Sequence, residues 1–162
     1  MMTIGQGEEA MSTIHLLLVD DEEQFLATTK ILLDKRGIDT GTVTNGIDAL
    51  KILDEQPVDV VVLDVKMPGI DGVEVLRRIK QKKHLAEVIL LTGHASVDAA
   101  VEGLKLGAFD YVMKPCDIPD LLAKVRDAFD SKVAKEKKIL RAASEKTNPY
   151  ISYHPWKGLS SN

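Results

Sequence analysis

The chain has 162 residues, 44% of them apolar and 28% charged, with a formal net charge of −4. That size supports one packed core and excludes a large multidomain enzyme, and the mildly acidic balance argues against nucleic-acid binding through overall charge. A single cysteine, Cys116, excludes an internal disulfide or a cysteine-rich zinc site and fits a reducing compartment.

In chain order, Met1–Thr13 carries Glu8 and Glu9 but no basic start and no long apolar stretch, so it reads as a short disordered lead and not as a secretory signal. No segment approaches transmembrane length, so no membrane partner is expected. Ile14–Val19 predicts a first strand. Glu22–Arg36 predicts a helix with Phe25, Leu26, Thr29, Leu32 and Leu33 on one face, stopped by Gly37. Asp39–Val43 fits a second, weaker strand. Asn45 then caps a helix with Ile47, Leu50 and Leu53 inward, which Pro57 prevents from continuing. Val58–Leu63 is the most continuous apolar run and predicts the sheet centre, covered on both faces.

The spacing of Val73, Leu76 and Ile79 predicts a helix over Val73–Lys80. Val88–Leu91 makes a fourth strand, Ser96–Leu106 a helix ending at Gly107, Phe109–Met113 a fifth strand, and a last helix starts near Asp117. Strands separated by crossover helices run parallel, and right-handed crossovers put helices on both faces of the sheet. The expected fold is α/β: a three-layer, doubly wound, five-stranded parallel sheet over residues 14–130.

Charge changes sign near Ser131. Residues 1–130 hold 14 Lys and Arg against 23 Asp and Glu, and residues 131–162 hold 7 against 2. The second stretch reads as a basic helical extension followed by a tail. Val133, Leu140 and Ala143 faintly continue the last helix's apolar stripe, and Lys132, Lys135, Lys137, Lys138 and Arg141 read as a solvated face. The tail Asn148–Asn162 carries Tyr150, Tyr153, His154 and Trp156, which suit either an unstructured end or a docking segment.

In a doubly wound sheet, binding sites form at the carboxyl edge of the strands. The residues that follow the apolar runs are Asp20 and Asp21, then Asp64, Thr92 and Lys114. Three carboxylates at one edge repel each other, and one lysine is too little to neutralise them. A hard divalent cation with oxygen ligands, Mg2+, supplies the rest. Helix capping accounts for one such acid, Asp21, and not for three.

The text LLLVDDE at Leu16–Glu22, VVLDVKMPGIDG at Val61–Gly72, LLTGHAS at Leu90–Ser96 and GAFDYVMKP at Gly107–Pro115 resembles the receiver domain of bacterial two-component response regulators. The wording of the last two fragments is similar to receivers of enhancer-binding activators. The resemblance implies a flavodoxin-like strand order of 2-1-3-4-5. It implies that Asp64 is the phosphoacceptor for a phosphoryl group from a sensor histidine kinase or a histidine phosphotransfer protein. It further implies that Asp21, Asp64 and the backbone carbonyl of Lys66 coordinate Mg2+, with Asp20 acting through a water, and that Lys114 and Thr92 surround the phosphate oxygens. The Lys114–Pro115 bond is expected to be cis.

By the same resemblance Thr92 and Tyr111 form a switch that alters the surface over residues 96–130, a place for a downstream protein or a homodimer. His94 and Lys66 stand at the pocket mouth, either tuning phosphate loss or merely solvated; Met67, Pro68 and Gly69 shape the turn beside Asp64; Cys116 reads as a small buried side chain in preference to a reactive thiol. The implied protein is a cytoplasmic signalling domain and not an enzyme beyond its own phosphorylation and dephosphorylation, either stand-alone or part of a longer chain. An Asp-nucleophile phosphohydrolase on a similar sheet is the alternative. Such enzymes place a second acid two residues after the nucleophile, where this chain has Lys66. A flavin-binding protein is disfavoured by the acids after the first strand, and a P-loop hydrolase by the missing G-x-x-x-x-G-K-[ST].

Overall fold

A computed structural model describes residues 12–147. Along the chain alternate β1 (His15–Val19), α1 (Glu23–Asp34), β2 (Asp39–Val43), α2 (Gly46–Glu55), β3 (Val60–Asp64) and α3 (Gly72–Gln81). There follow β4 (Glu87–Thr92), a 3-10 turn at His94–Ser96, α4 (Val97–Lys105), β5 (Asp110–Met113) and α5 (Ile118–Thr147). All strand pairs are parallel, in the order β2-β1-β3-β4-β5.

Successive strand residues point to opposite faces, and both faces are packed. Leu17, Val19, Val61, Leu63, Val88 and Leu90 meet α2, α3 and α4, while Leu16, Leu18, Val60, Val62, Ile89 and Leu91 meet α1 and α5. Every residue of β3 is buried, which is why its run is continuously apolar until Asp64.

Local signals stop and start the helices. Gly37 follows α1 with φ +86°, and Asn45 Oδ1 accepts the Asp48 N–H at 2.8 Å to open α2. Asp71 Oδ1 does the same for α3, accepting the Glu74 N–H at 2.9 Å. Ile47, expected to face inward, is instead 56% exposed. The buried side of α2 is Gly46, Ala49, Leu50 and Leu53, and Ile47 lies about 100° around the helix from Gly46.

The change of charge near Ser131 falls inside one unbroken helix, α5. The expectation that its lysines form a freely solvated face fails for two of them. Lys132 Nζ lies 2.8 Å from Asp59 Oδ1 and 2.7 Å from Glu136 Oε2, and Lys135 Nζ lies 2.7 Å from Glu87 Oε2. The Ser131 hydroxyl donates to the same Glu87 oxygen. Asp59 and Glu87 are buried at the entrance to β3 and the start of β4, so these contacts hold α5 to the sheet edge opposite Asp64. Lys137, Lys138 and Arg141 are exposed as expected. Residues 1–11 of the predicted lead and the aromatic tail Asn148–Asn162 lie outside the described residues. Among the described residues, no helix is long and apolar enough to cross a membrane.

Candidate functional site

The carboxyl ends of β1, β3, β4 and β5 bring the predicted polar residues to one edge. Asp20, Asp21 and Asp64 each offer a carboxylate oxygen within 4.8 Å of the others. Asp20 and Asp64 are buried and Asp21 is exposed. The helix-capping explanation for these acids does not hold: the residue before α1, Glu22, gives it no side-chain cap, and Asp20 Oδ1, not Asp21, accepts the Glu22 N–H at 2.9 Å.

Asp64 closes β3 beside Leu91, with Thr92 one residue further along β4. The Lys66 N–H donates to Asp64 Oδ1 at 3.1 Å. The Asp64 carboxyl is pushed up to about 7, first by burial and then by the neighbouring Asp20 charge; Asp21 adds to the rise, while the Lys66 N–H and Lys114 oppose it. A buried carboxyl that resists ionisation because two other acids stand beside it is a site that a bound cation would stabilise in its charged form. Three oxygen donors without a His or Cys match the ligand chemistry of Mg2+.

Lys114 reaches this cluster from the turn after β5, through a cis Lys114–Pro115 bond. Its Nζ donates to Asp20 Oδ2 at 2.6 Å and Glu22 Oε1 at 2.7 Å, and sits 4.4 Å from the centre of the Phe25 ring. Burial works to lower the Lys114 pKa, but the bonds to Asp20 and Glu22 outweigh it and raise it. The same contact holds the exposed Glu22 carboxyl below its ordinary range. Glu22 and Phe25 were not singled out as site residues by sequence, although Glu22 ends the first matching fragment.

Thr92 is fully buried, its hydroxyl donating to the Gly93 carbonyl at 3.0 Å, and its own carbonyl accepts the Lys114 N–H at 2.8 Å. Tyr111 pairs in register with Leu90 and lies half-buried against the core. The Lys66 and His94 side chains are exposed at the same edge. Gly69 adopts φ +80° in the turn beside Asp64, and Gly72 lies so close under Asp64 that an added Cβ would collide with the Asp64 carbonyl. Cys116 is half-buried, and burial raises its thiol pKa, which disfavours the reactive thiolate.

A parallel doubly wound sheet with an acidic cluster and a lysine at its carboxyl edge fits the receiver class that the sequence fragments resemble. Residues 16–126 match the family described as the response regulator receiver domain, and the chain belongs to that family. It is 40% identical over 114 residues to the uncharacterized transcriptional regulatory protein YkoG of Bacillus subtilis (strain 168), covering 70% of this chain and 50% of that protein. It is 38% identical over 111 residues to the DNA-binding transcriptional regulator NtrC of Escherichia coli (strain K12), covering 68% of this chain and 24% of that protein. A receiver domain protein from Clostridium thermocellum aligns with a TM-score of 0.70 at 36% identity, over 78% of this chain and 98% of that one. The receiver domain of NtrX from Brucella abortus aligns with a TM-score of 0.67 at 27% identity, over 71% and 98%. The chain spans half or less of the length of these two curated relatives. It carries the receiver domain of two-component response regulators, a phosphorelay signalling module.

Proposed function

We propose that Asp64 is the phosphoacceptor of this domain and that the donor is the phosphohistidine of a sensor kinase or a histidine phosphotransfer protein. An Asp64 carboxylate oxygen attacks phosphorus while the P–N bond breaks; the electron pair stays on the imidazole nitrogen, which takes up a proton. The product is an aspartyl phosphate, a carboxylate-nucleophile intermediate.

Asp20, Asp21, Asp64 and the Lys66 carbonyl are the groups that would hold Mg2+. When bound, Mg2+ neutralises charge on the phosphoryl oxygens, the main requirement of phosphoryl transfer. Lys114 supplies a fixed positive charge beside the acceptor, and the Thr92 hydroxyl gives up its local bond to Gly93 to donate to a phosphate oxygen. Tyr111 then turns toward the space beside Thr92, and the surface over residues 96–130 changes for a downstream protein. The chemistry is limited to the domain's own phosphorylation and dephosphorylation, and the setting is the cytoplasm, where kinase phosphohistidines are presented.

The observation that supports this reading best is the convergence of three carboxylates within 4.8 Å, one of them raised to about 7, with Lys114 bonded to its neighbour. Incubation with an acyl phosphate tests it. A base-labile phosphoryl group is expected on the wild type, dependent on Mg2+ and lost with EDTA or in Asp64→Asn; equal labelling with EDTA would refute the metal-assisted reading.

A further inference from the structure

Most charges on the solvent side of α5 fall in two blocks. Asp120, Asp127 and Asp130 precede Ala134; Lys137, Lys138 and Arg141 follow it, and all seven are exposed. Two exposed charges depart from this pattern: Arg126 lies about 80° around the helix from Ala134, and Glu145 follows the basic block. At about 100° per residue, Asp127, Asp130, Ala134, Lys138 and Arg141 lie within roughly 40° of one line along the helix. Asp130 and Lys138 are equally spaced about Ala134, and so are Asp127 and Arg141.

A stripe of this kind is its own complement. With a second copy laid antiparallel, the two Ala134 side chains meet on a twofold axis. Asp130 of each copy then faces Lys138 of the other, and Asp127 faces Arg141. A parallel arrangement would set acid on acid and base on base. The small Ala134 side chain lets the two helices approach closely at the axis.

Two features of this molecule favour that partner. Asp127, Asp130, Lys138 and Arg141 make no side-chain hydrogen bond or ion pair among the described residues, whereas Lys132, Lys135 and Glu136 elsewhere on the same stretch of helix are all paired. The contacts of Ser131, Lys132 and Lys135 also fix α5 to the body, so that Lys137–Glu145 leaves its end as helix, every residue exposed. The basic half projects away from its own acidic half and is positioned to lie along that of another molecule.

We propose that the solvent stripe of α5, centred on Ala134, is a self-complementary surface on which a second copy of the chain docks antiparallel. The proposal is independent of the role of Asp64, and the stripe extends past residue 130, beyond the predicted switch surface. Its contacts are exposed ion pairs, each contributing little and screened by salt, so the dimer is weak and salt-sensitive.

Sedimentation velocity on the full chain tests it, with circular dichroism confirming that each variant is folded. The wild type is expected to dimerise with rising concentration at low salt and to dissociate as salt rises. The pairs Asp127→Lys with Asp130→Lys, and Lys138→Asp with Arg141→Asp, are each expected to be monomeric, and an equimolar mixture of the two to dimerise again. In a Cys116→Ser background, a short bismaleimide is expected to link Ala134→Cys to itself. It is not expected to link Arg141→Cys, whose copies would stand about 21 Å apart along the antiparallel axes. A wild type that stays monomeric at low salt, charge-reversed pairs that dimerise unaided, a mixture that stays monomeric, or self-linking at Arg141→Cys would each overturn the proposal.

Discussion

Lys114 Nζ lies 2.6 Å from Asp20 Oδ2, and the Asp20 side chain is fully buried while that of Lys114 is 20% exposed. The lysine thus neutralises the acid beside the proposed phosphoacceptor and leaves Asp64 without a direct cationic partner. Asp20 is the group that loses most if the amine is removed. Lys114→Ala is expected to destabilise the fold by about 3 kcal/mol, because an uncompensated charge remains buried. Urea unfolding near neutral pH checks this, and a loss below about 0.5 kcal/mol would mean the pair contributes no more than an exposed one.

The raised pKa of Asp64 fixes the sign of a pH effect. Its folded value is about 7 against an ordinary 3.8, so between these values the folded state binds the extra proton. Ionising Asp64 therefore costs stability: the cost is absent below the unfolded pKa, grows with rising pH, and is complete above about 7. In metal-free buffer, Asp64→Asn is expected to exceed the wild type in stability by up to about 4 kcal/mol near pH 8, with the difference fading below about pH 4. Paired denaturation curves across that range are the measurement. A difference that does not change with pH would contradict the assigned shift.

Mg2+ is expected to stabilise the wild type by binding only the folded acidic cluster. At ten times its dissociation constant the gain is about 1.4 kcal/mol, read as a rise in Tm. Asp21→Asn should lose most of that rise while keeping its metal-free Tm nearly unchanged, because Asp21 is exposed and caps no helix. An undiminished rise in Asp21→Asn would remove that residue from the ligand set.

Gly72 ties the start of α3 to the acceptor strand: its N–H donates to the Val65 carbonyl at 2.9 Å, and its missing Cβ leaves room for the Asp64 carbonyl. Gly72→Ala is expected to cost more than about 2 kcal/mol, since the colliding atoms are backbone and cannot rotate away. It should also slow phosphorylation by displacing Asp64. Thermal unfolding and a phosphorylation time course together check this; a fully active, equally stable variant would refute it.

The sheet was legible because both its faces are packed. Val60, Val61, Val62 and Leu63 are all 0% exposed, so their run is apolar without interruption, and the polar residue that breaks it, Asp64, marks the functional edge. The same logic located Asp20, Thr92 and Lys114. Periodicity misjudged Ile47, an apolar residue at the start of α2 that stands outside the helix's buried side. Glu22 was missed as a site residue because its role depends on Lys114, 92 residues away. The bond from Lys132 to Asp59 spans 73 residues, and no local pattern distinguishes that lysine from its solvated neighbours.

The role of Asp64 is tested most directly by phosphorylating the chain with a small acyl phosphate and Mg2+, reducing the product with borohydride, and sequencing the peptides by mass spectrometry. The expected result is one phosphoryl group per chain and conversion of Asp64 alone to homoserine, with neither change in Asp64→Asn. An unmodified wild type, or modification that persists in Asp64→Asn, would contradict the assignment.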